Sequence, residues 1–214
     1  SLAVATRTIG GDPRAGIDAS ERAFAVAGEL GIERPTLALG YRGLARFYLG
    51  DMDGLDDVRE AAELGAARGE GRDAGLTFHN LIMFEHVARG PAAALDARGR
   101  AAGFARERGL TEMWTLARMG GLDSMLDLGD LDDALLIATE LEEQAEALSS
   151  GYILLYTRAW LLRAWAHRGE LQRVEAAAAW LEPAARETGA PEDLVAGIAA
   201  CAIGLCADGH HEAS

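Results

Sequence analysis

Glycine residues followed by a short polar stretch recur along this chain at a nearly constant spacing. Successive members of the set lie 39 or 40 residues apart, and the set is Gly10, Gly50, Gly90, Gly129, Gly169 and Gly209. A second set falls about halfway between them, at Gly31, Gly71, Gly109, Gly151 and Gly189. A fixed period of this length is typical of repeat proteins, in which each supersecondary unit buries its apolar face on its neighbours. The spacing therefore predicts an array of repeats, each interrupted once in the middle.

Between the glycines, apolar residues are spaced as in an amphipathic helix. From Leu131 to Leu148 they occur three or four residues apart, and no segment shows the sustained alternation typical of a strand. Pro13, Pro91 and Pro191 suit the first turn of a helix. Links of about two to four residues would make consecutive helices antiparallel neighbours. We therefore predict an all-α protein, an α-α superhelix of antiparallel helix pairs that forms a solenoid.

The same pattern gives approximate boundaries for the elements. After a truncated helix to about Thr8, it predicts helices over 13–30, 35–49, 54–68, 73–88, 91–108, 111–128, 131–148, 151–168, 171–188 and 191–207. These make four full pairs at 34–70, 71–109, 110–149 and 150–189, with partial repeats at 1–33 and 190–214. We interpret residues 1–214 as a single helical-repeat domain cut from a longer protein. Pro183 falls inside a predicted helix, which is expected to kink there or to end near Glu182.

Composition excludes several classes of function. The chain has 34 acidic residues against 20 basic ones, a net charge of −14 that repels phosphate backbones, so direct nucleic-acid binding is not expected. No apolar stretch approaches the roughly 20 residues that span a bilayer, and the N-terminus lacks a signal-peptide pattern. We expect a cytoplasmic protein without membrane contact. Cys201 and Cys206 are poorly placed for a disulfide within one helix, and both are predicted to be small buried apolar residues.

One turn of the sequence resembles a known repeat family. LGDLDDAL at 128–135, followed by Ala138 and Leu141, is similar to the inter-helix turn of tetratricopeptide repeats, where a glycine, an acidic residue, an apolar residue and a small alanine recur. The period exceeds the usual length of about 34 residues. It resembles the variant repeats of large bacterial regulators of the LuxR type, and of adenylate or guanylate cyclase-like proteins with an ATPase module. Residues 38–81 and 90–112 read like the C-terminal helical arm of the second group.

The activities of those regulators are not expected in this segment. The sequence contains neither the phosphate-binding motif GxxxxGK[ST] nor a GxSxG serine. We therefore predict a segment without catalytic residues and without a cofactor.

In tetratricopeptide-type stacks, the first helix of each pair lines the concave groove where peptides bind. The resemblance therefore directs attention to polar and aromatic residues on those helices. Asn80 is the only asparagine in the chain, and its amide can both donate to and accept from the backbone of an extended peptide. Arg42, Arg118 and Arg163 can hold carboxylates through their guanidinium forks. The candidate binding residues are Tyr41, Arg42, His79, Asn80, Trp114, Arg118, Tyr156 and Arg163.

Two further patterns are compatible with a metal site, but structural explanations are better. The acidic stretch at 50–60 places carboxylates near the ligand positions of an EF-hand, yet its first position would be Leu49, which cannot coordinate an ion. We interpret it as a turn followed by a helix start. His79 and His86 are seven residues apart, so two helical turns place them beyond joint reach of one ion. No metal ligand is predicted.

The regular repeat and the missing catalytic motifs favour a non-catalytic interaction or sensor domain of a bacterial signalling or transcriptional regulator. Such a domain would bind a protein or peptide segment, or a small effector, along its groove and change curvature on binding. Two alternatives remain open. One is a structural oligomerisation arm whose exposed apolar strips pair two chains as a homodimer. The other is an all-helical enzyme or small-molecule-binding domain with a closed interior cavity.

Overall fold

A computed structural model describes residues 4, 5, 8 and 11–207 of this protein, and over these residues it contains helices and turns but no strand. The prediction of an all-α protein is confirmed. None of the described helices is long and apolar enough to cross a membrane. The helices are α1 (Pro13–Glu29), α2 (Thr36–Tyr48), α3 (Gly54–Arg68), α4 (Gly71–Arg89), α5 (Pro91–Glu107), α6 (Thr111–Gly120), α7 (Leu122–Leu128), α8 (Leu131–Ala147), α9 (Gly151–Arg168), α10 (Leu171–Thr188) and α11 (Pro191–Ala207).

The helices belong to two compact units, residues 1–121 and residues 122–214. In the first unit, helices that follow one another along the chain pack side by side, from α1 against α2 to α5 against α6. In addition, α4 contacts both α2 and α6, so alternate helices of this unit are neighbours. In the second unit, α7 to α11 pack in the same sequential way, and α9 also contacts α7 and α11. Packing in neighbouring pairs, which the short links predict, is therefore present in each unit.

Each unit has a core built from the apolar faces of its helices. In the first unit, Leu81 and Ile82 of α4 are almost completely buried, and the rings of Phe78 and Phe104 join α4 to α5 with centroids 5.2 Å apart. Burying one such side chain contributes roughly 1.5–3 kcal/mol. The core of the second unit includes an apolar cluster of Leu155, Ala159, Leu162, Val174, Leu181, Ala185, Ala200 and Cys201.

Most of the repeating glycines lie where the chain turns between helices. Left-handed φ angles are found at Gly50, Gly90, Gly129 and Gly169 of the first set, and at Gly31, Gly109 and Gly189 of the second. Gly10 and Gly209 lie outside the described residues. Gly71 and Gly151 instead begin the next helices, and the left-handed residues that precede them are Gly69 and Ser149.

Ser149 shows what the turn after α8 requires. Its φ of 51° lies in the left-handed region, where a residue with a Cβ is strained by roughly 1 kcal/mol. The following N–H, that of Ser150, donates to the carbonyl of Ala145 at 2.9 Å, which is the bond that closes a Schellman-type helix end. The turn therefore keeps the left-handed geometry even where its sequence offers no glycine.

The predicted helix 111–128 is not continuous. It divides into α6 and α7 at Gly121, whose N–H donates to the carbonyl of Arg118 at 3.4 Å, three residues back rather than four. Gly120 and Gly121 are adjacent, and each glycine weakens a helix by about 1 kcal/mol relative to alanine. The helical spacing of apolar residues continues across Gly120 and Gly121, so the sequence pattern gave no sign of this break.

Pro183 does not end its helix. α10 runs from Leu171 to Thr188 with Pro183 inside it, which agrees with the predicted helix over 171–188 and excludes the alternative of an end near Glu182. Leu181 and Ala185, on either side of the proline, are both buried, and their burial holds the last turns of the helix on the core. The packing of these two residues outweighs the lost hydrogen bond and the ring clash, which together cost about 3 kcal/mol.

Replacing Pro183 with alanine is therefore expected to stabilise the protein. The proline is exposed, so the substitution restores a helical N–H without creating a cavity. We expect the free energy of unfolding to rise by about 1–2 kcal/mol, because the gain in the helix is partly offset by the greater freedom of the unfolded chain. Urea unfolding followed by circular dichroism measures this directly. An unchanged or lowered midpoint would mean that the helix already accommodates the proline without cost.

Candidate functional site

The structure divides the eight predicted binding residues between its two units. Tyr41 and Arg42 on α2, His79 and Asn80 on α4, and Trp114 and Arg118 on α6 belong to the first unit, whereas Tyr156 and Arg163 on α9 belong to the second. Because α4 contacts α2 and α6, the first six residues lie on three adjacent helices. They do not all face solvent, however, and most of them interact with other parts of the protein.

Tyr41 lies in the core of the first unit. Only 6% of its surface is exposed, and burial raises the pKa of its phenol. A ring in this position stabilises the packing of α2 and does not present a surface to a ligand. Tyr41 was predicted to line a binding groove, and this prediction is not supported, because the face of α2 on which it lies is covered.

Arg42 is occupied by carboxylates of the protein itself. Its guanidinium grips Asp57 of α3 in a bidentate pair, with N–O distances of 2.9 and 3.0 Å, and donates to Glu21 of α1 at 2.9 Å. Arg46 donates to the same Asp57 at 3.0 Å and to Asp51 at 2.8 Å. Asp57 is only 8% exposed, so these are charge-assisted bonds shielded from water. Arg42 therefore links three helices, and its fork is not available to a peptide carboxylate.

Carboxylates of the acidic stretch at 50–60 belong to this network and to the turn before α3. Asp51 accepts a hydrogen bond from the N–H of Asp53 at 3.1 Å, which forms the turn before α3. Gly54 is the first residue of α3. In the described part of the chain, no group of three or more histidine, cysteine or acidic residues is arranged to hold a metal ion.

His79 is buried between α4 and α6. Its Nδ1 lies 3.0 Å from the carbonyl oxygen of Leu116, and its Nε2 is buried without a hydrogen-bond partner among the described residues. Burial lowers the pKa of the imidazole to about 4, so the ring is neutral at physiological pH. The proton then sits on Nδ1 and is donated to Leu116, which ties the two helices together. His79 is consequently a structural contact and cannot reach a ligand on the surface.

A lowered pKa at His79 makes stability depend on pH. The imidazole is harder to protonate in the folded protein than in the unfolded chain, where its pKa is 6.5, so the unfolded state binds more protons below that value. This contribution is complete above pH 6.5 and is lost as the pH falls toward 4. We expect His79 to lower the free energy of unfolding by about 2 kcal/mol at pH 5 relative to pH 7.5.

Urea titrations at pH 5 and pH 7.5 measure that difference in the free energy of unfolding. Comparison with the variant His79→Leu separates the contribution of His79 from that of the carboxylates. The variant should lose the part of the pH dependence between pH 7.5 and pH 5 that His79 causes. Equal pH dependence in the two proteins would show that the imidazole titrates normally in the folded state.

Asn80 faces outward from α4 together with three apolar residues. Leu76, Asn80, Met83 and Val87 follow one another at helical steps of three or four, and we call these four residues the α4 surface. Met83 is 44% exposed and Val87 is 71% exposed, while Leu76 and Asn80 are half-buried. The Asn80 amide has no hydrogen-bond partner among the described residues. Asn80 therefore combines an accessible position with an amide that no described residue hydrogen-bonds.

Other exposed aromatic and apolar side chains lie at the end of α2 and in the turn that follows it. The ring of Tyr48 is 58% exposed and packs edge-on against Phe84, with centroids 5.7 Å apart. Leu49 and Met52, in the turn between α2 and α3, are 45% and 52% exposed. Sequence reasoning missed Leu76 and Val87. Their helical spacing from Asn80 was a signal that could have identified them.

Trp114 and Arg118 lie one turn apart on α6. The guanidinium carbon of Arg118 sits 4.6 Å from the centre of the Trp114 ring, in a cation–π arrangement, and both side chains are half-buried. Stacking holds the guanidinium at a fixed position.

The two residues of the second unit are engaged by neighbours. Arg163 forms an ion pair with Asp123 at 2.5 Å. Tyr156 packs against Tyr152 with ring centroids 4.7 Å apart, and burial, together with the nearby Asp193, raises the pKa of its phenol. Both residues join helices of the unit, and neither is open to a ligand in the predicted manner.

Two other surfaces have unusual apolar character. An open cleft of about 550 Å³ in the first unit is lined by Val4, Ala19, Arg22, Ala23, Val26, Ala27, Ile32 and Pro35. In the second unit, α11 presents an outward stripe without any charged group, comprising Val195, Ile198, Ala199, Ala202, Ile203 and Cys206. Cys201 is buried as predicted, but the prediction for Cys206 was wrong, because it is exposed on this stripe.

Comparison with known proteins gives no assignment. No protein-family model matches this sequence, and no curated protein matches it significantly.

Proposed function

We propose that this chain is a non-catalytic protein- or peptide-binding domain, a tetratricopeptide-like arm of a bacterial signalling or transcriptional regulator in the cytoplasm. The observation that carries the proposal is the α4 surface, where apolar side chains flank an amide that no described residue hydrogen-bonds. Large apolar side chains are rarely exposed as a contiguous stripe unless they bind something. A helix face of this kind suits an extended or helical peptide segment.

The chemistry of the α4 surface favours a partner with an apolar centre and neutral or basic flanks. Met83 is flexible and polarisable, which lets one surface accept apolar residues of different shapes. Asn80 offers a donor and an acceptor to the backbone of the partner. The chain carries a net charge of −14, so an acidic segment would be repelled and a basic one attracted.

The arrangement of the helix pairs in a superhelix is part of the same proposal. We infer that the helix pairs continue as repeats of about 40 residues in one superhelix, because the turn glycines keep that spacing from Gly50 to Gly169. Small-angle X-ray scattering tests this. A compact chain of this length has a radius of gyration of about 17 Å, and an elongated array should give a clearly larger value. A value near 17 Å would contradict the superhelix.

The binding function is tested by selecting peptides on the protein and then changing the α4 surface. A displayed library of random peptides is enriched on the wild-type chain, and the dissociation constants of the selected peptides are measured. Val87→Glu places a charge in the stripe at a position that is 71% exposed, so the fold should tolerate it. Asn80→Ala removes the amide. Leu136→Glu is the matched control, since Leu136 is similarly exposed at 62% but lies on α8.

We expect both changes on the α4 surface to weaken binding at least tenfold and the control to have no effect. An interfacial charge without a partner costs several kcal/mol, which is sufficient for that loss. If the selected peptides bind Val87→Glu and Leu136→Glu as well as they bind the wild type, the α4 surface is not the binding site.

A second candidate function, self-association, is favoured by the outward stripe of α11. Val195 is 68% exposed, Ile198 41% and Ile203 43%, while Gly197 and Gly204 on the opposite side of the helix are buried in the unit. α11 is therefore apolar on both faces, whereas a helix at a free surface is normally polar on one. The outward face has no charge to repel its own copy, so a second chain is a suitable occupant.

Sedimentation velocity at increasing protein concentration tests self-association. A dimer that disappears in Ile198→Glu and persists in Leu136→Glu would support α11 as the interface. A wild-type monomer at high concentration would exclude it.

A further inference from the structure

The open cleft in the first unit is formed mainly by one face of α1, and we call it the α1 cleft. Its lining residues on α1 follow one another at the spacing of a single helix face, and the link to α2 and Val4 complete the wall. They are Ala19, Arg22, Ala23, Val26 and Ala27, with Val4, Ile32 and Pro35. The volume of about 550 Å³ lies within the roughly 300–1,000 Å³ typical of small-molecule sites. The α1 cleft is therefore large enough for a small organic ligand.

The α1 cleft has a buried floor and an exposed apolar rim. Val4 and Ala27 are only 2% and 1% exposed, whereas Val26 and Ile32 are 51% and 60% exposed. Exposed apolar side chains that lie together often mark a surface that binds something. A ligand lying along α1 would remove the apolar surface of Val26 and Ile32 from water, which is a favourable change.

The chemistry of the lining restricts what such a ligand can be. Every lining side chain except Arg22 is aliphatic. Alanine, valine, isoleucine and proline side chains offer a ligand no donor, no acceptor and no aromatic ring. A sugar, a nucleotide or a peptide backbone requires several directional polar groups, so this lining does not suit them. An unbranched hydrocarbon chain requires only apolar contact, and it fits such a lining.

Arg22 supplies the single charge of the lining. Its guanidinium has no hydrogen-bond or ion-pair partner in the described part of the chain. The acidic residues nearby are engaged elsewhere, since Glu21 pairs with Arg42 at 2.9 Å. Glu33 pairs with Arg68 at 2.7 Å. A free guanidinium beside an apolar surface suits a carboxylate, which can accept two parallel N–H bonds from its fork.

From this arrangement we propose that the α1 cleft binds an aliphatic carboxylic acid, a molecule with one hydrocarbon chain and one carboxylate. Long side chains of a helix point back toward its N-terminus, which would place the carboxylate at the Ala19 end and the hydrocarbon chain toward Ile32. Ala19 and Ala27 lie about 12 Å apart along α1. The site does not involve the α4 surface, so it is independent of the function proposed above.

The first test varies the length of the ligand. The full chain is titrated calorimetrically with straight-chain acids from hexanoate to tetradecanoate, each below its micelle concentration. Every additional buried methylene should raise the affinity, by up to about fourfold. We expect this rise to stop once the hydrocarbon chain is longer than the cleft. An affinity that rises by the same factor through tetradecanoate would show unspecific partitioning onto the protein and would overturn the proposal.

The second test varies the charge at both ends of the proposed ion pair. Decanol has the same chain length as decanoate without its charge, and decanoate should bind about fivefold more tightly. Arg22→Gln should reduce the affinity for decanoate to that for decanol and leave decanol binding unchanged. Arg14→Gln is the matched control, because Arg14 is exposed on the same helix, has no partner among the described residues and lies outside the lining. It should change neither affinity.

A third test blocks the path of the hydrocarbon chain. Val26→Glu places a negative charge on the rim at an exposed position, so it should weaken decanoate binding at least tenfold. Ala25→Glu introduces the same charge at the neighbouring residue, which is exposed on α1 but does not line the cleft, and it should have little effect. If Val26→Glu fails to fold, Arg22→Gln decides the question, because its exposed side chain can be replaced without disturbing the core.

Other results would also overturn the proposal. One is a wild-type chain that binds none of the acids, and another is equal binding of decanoate and decanol. Equal loss of decanoate binding in Arg22→Gln and Arg14→Gln would mean that only the overall charge matters. A chain that binds no acid but forms a dimer that Val26→Glu abolishes in sedimentation would show that a second copy covers the α1 cleft instead.

Discussion

Replacing Glu85 with alanine is expected to lower the free energy of unfolding by about 2–3 kcal/mol, because it removes a buried carboxylate that accepts two charge-assisted hydrogen bonds from Arg59. Glu85 of α4 is only 2% exposed. It accepts from the Nε of Arg59 at 2.9 Å and from the Nη2 of Arg59 at 2.8 Å, and Arg89 lies 3.1 Å away. Arg59 belongs to α3, so this carboxylate joins two helices across the core of the first unit.

Asp56→Ala is the matched control for this experiment. Asp56 pairs with the same Arg59, at 2.5 Å, but it is exposed, so its removal should cost less than about 1 kcal/mol. Guanidinium unfolding curves of both variants give the comparison. The variant Glu85→Gln, which preserves size and loses only charge, should fall between them. If Glu85→Ala costs no more than Asp56→Ala, the buried pair contributes nothing beyond a surface ion pair.

Replacing Gly43 with alanine is expected to destabilise the protein by about 2–3 kcal/mol, although alanine is a better helix former by about 1 kcal/mol. Gly43 of α2 faces Gly54 of α3 at the closest approach of these helices. A Cβ on Gly43 would overlap the carbonyl oxygen of Gly54, and it would lie 2.8 Å from Val58 and 2.9 Å from Asp57. The obstacle is largely backbone, so relief requires the two helices to separate.

The same substitution at Gly99 provides the control. Gly99 lies inside α5 and is exposed, and nothing lies within 4 Å of the Cβ it lacks. Gly99→Ala should therefore stabilise the protein by up to about 1 kcal/mol. Opposite signs for the two glycines, measured by thermal unfolding, would establish that packing and not helix propensity decides the effect at Gly43. A stabilising Gly43→Ala would contradict the close approach of α2 and α3.

The helices themselves were predictable from local chemistry. Apolar residues every three or four positions, prolines in first turns and glycines at left-handed turns act within about one turn of the chain, and they located nearly every helix boundary. The exceptions are instructive. Pro183 lies within α10 because burial of Leu181 and Ala185 outweighs its local cost, and neither of those contacts is encoded next to the proline.

The candidate site was less predictable. Arg42 was expected to meet a ligand carboxylate, and instead it holds Asp57, which lies 15 residues away on another helix. His79 was expected on the groove and is buried against Leu116, 37 residues away.

The sequence by itself therefore determined the helices and their packing in neighbouring pairs, because each depends on contacts along a single helix or across one short turn. Only the tertiary structure decided which polar groups bond to one another and which remain available to a ligand. The helical period fixes the face on which a side chain lies. The groups that lie opposite that face depend on how the neighbouring helices are aligned. A shift of one helix by a single turn would separate the partners of an ion pair and leave their charges without a contact. Asn80 remains available on the α4 surface for this reason, whereas Arg42 and His79 do not.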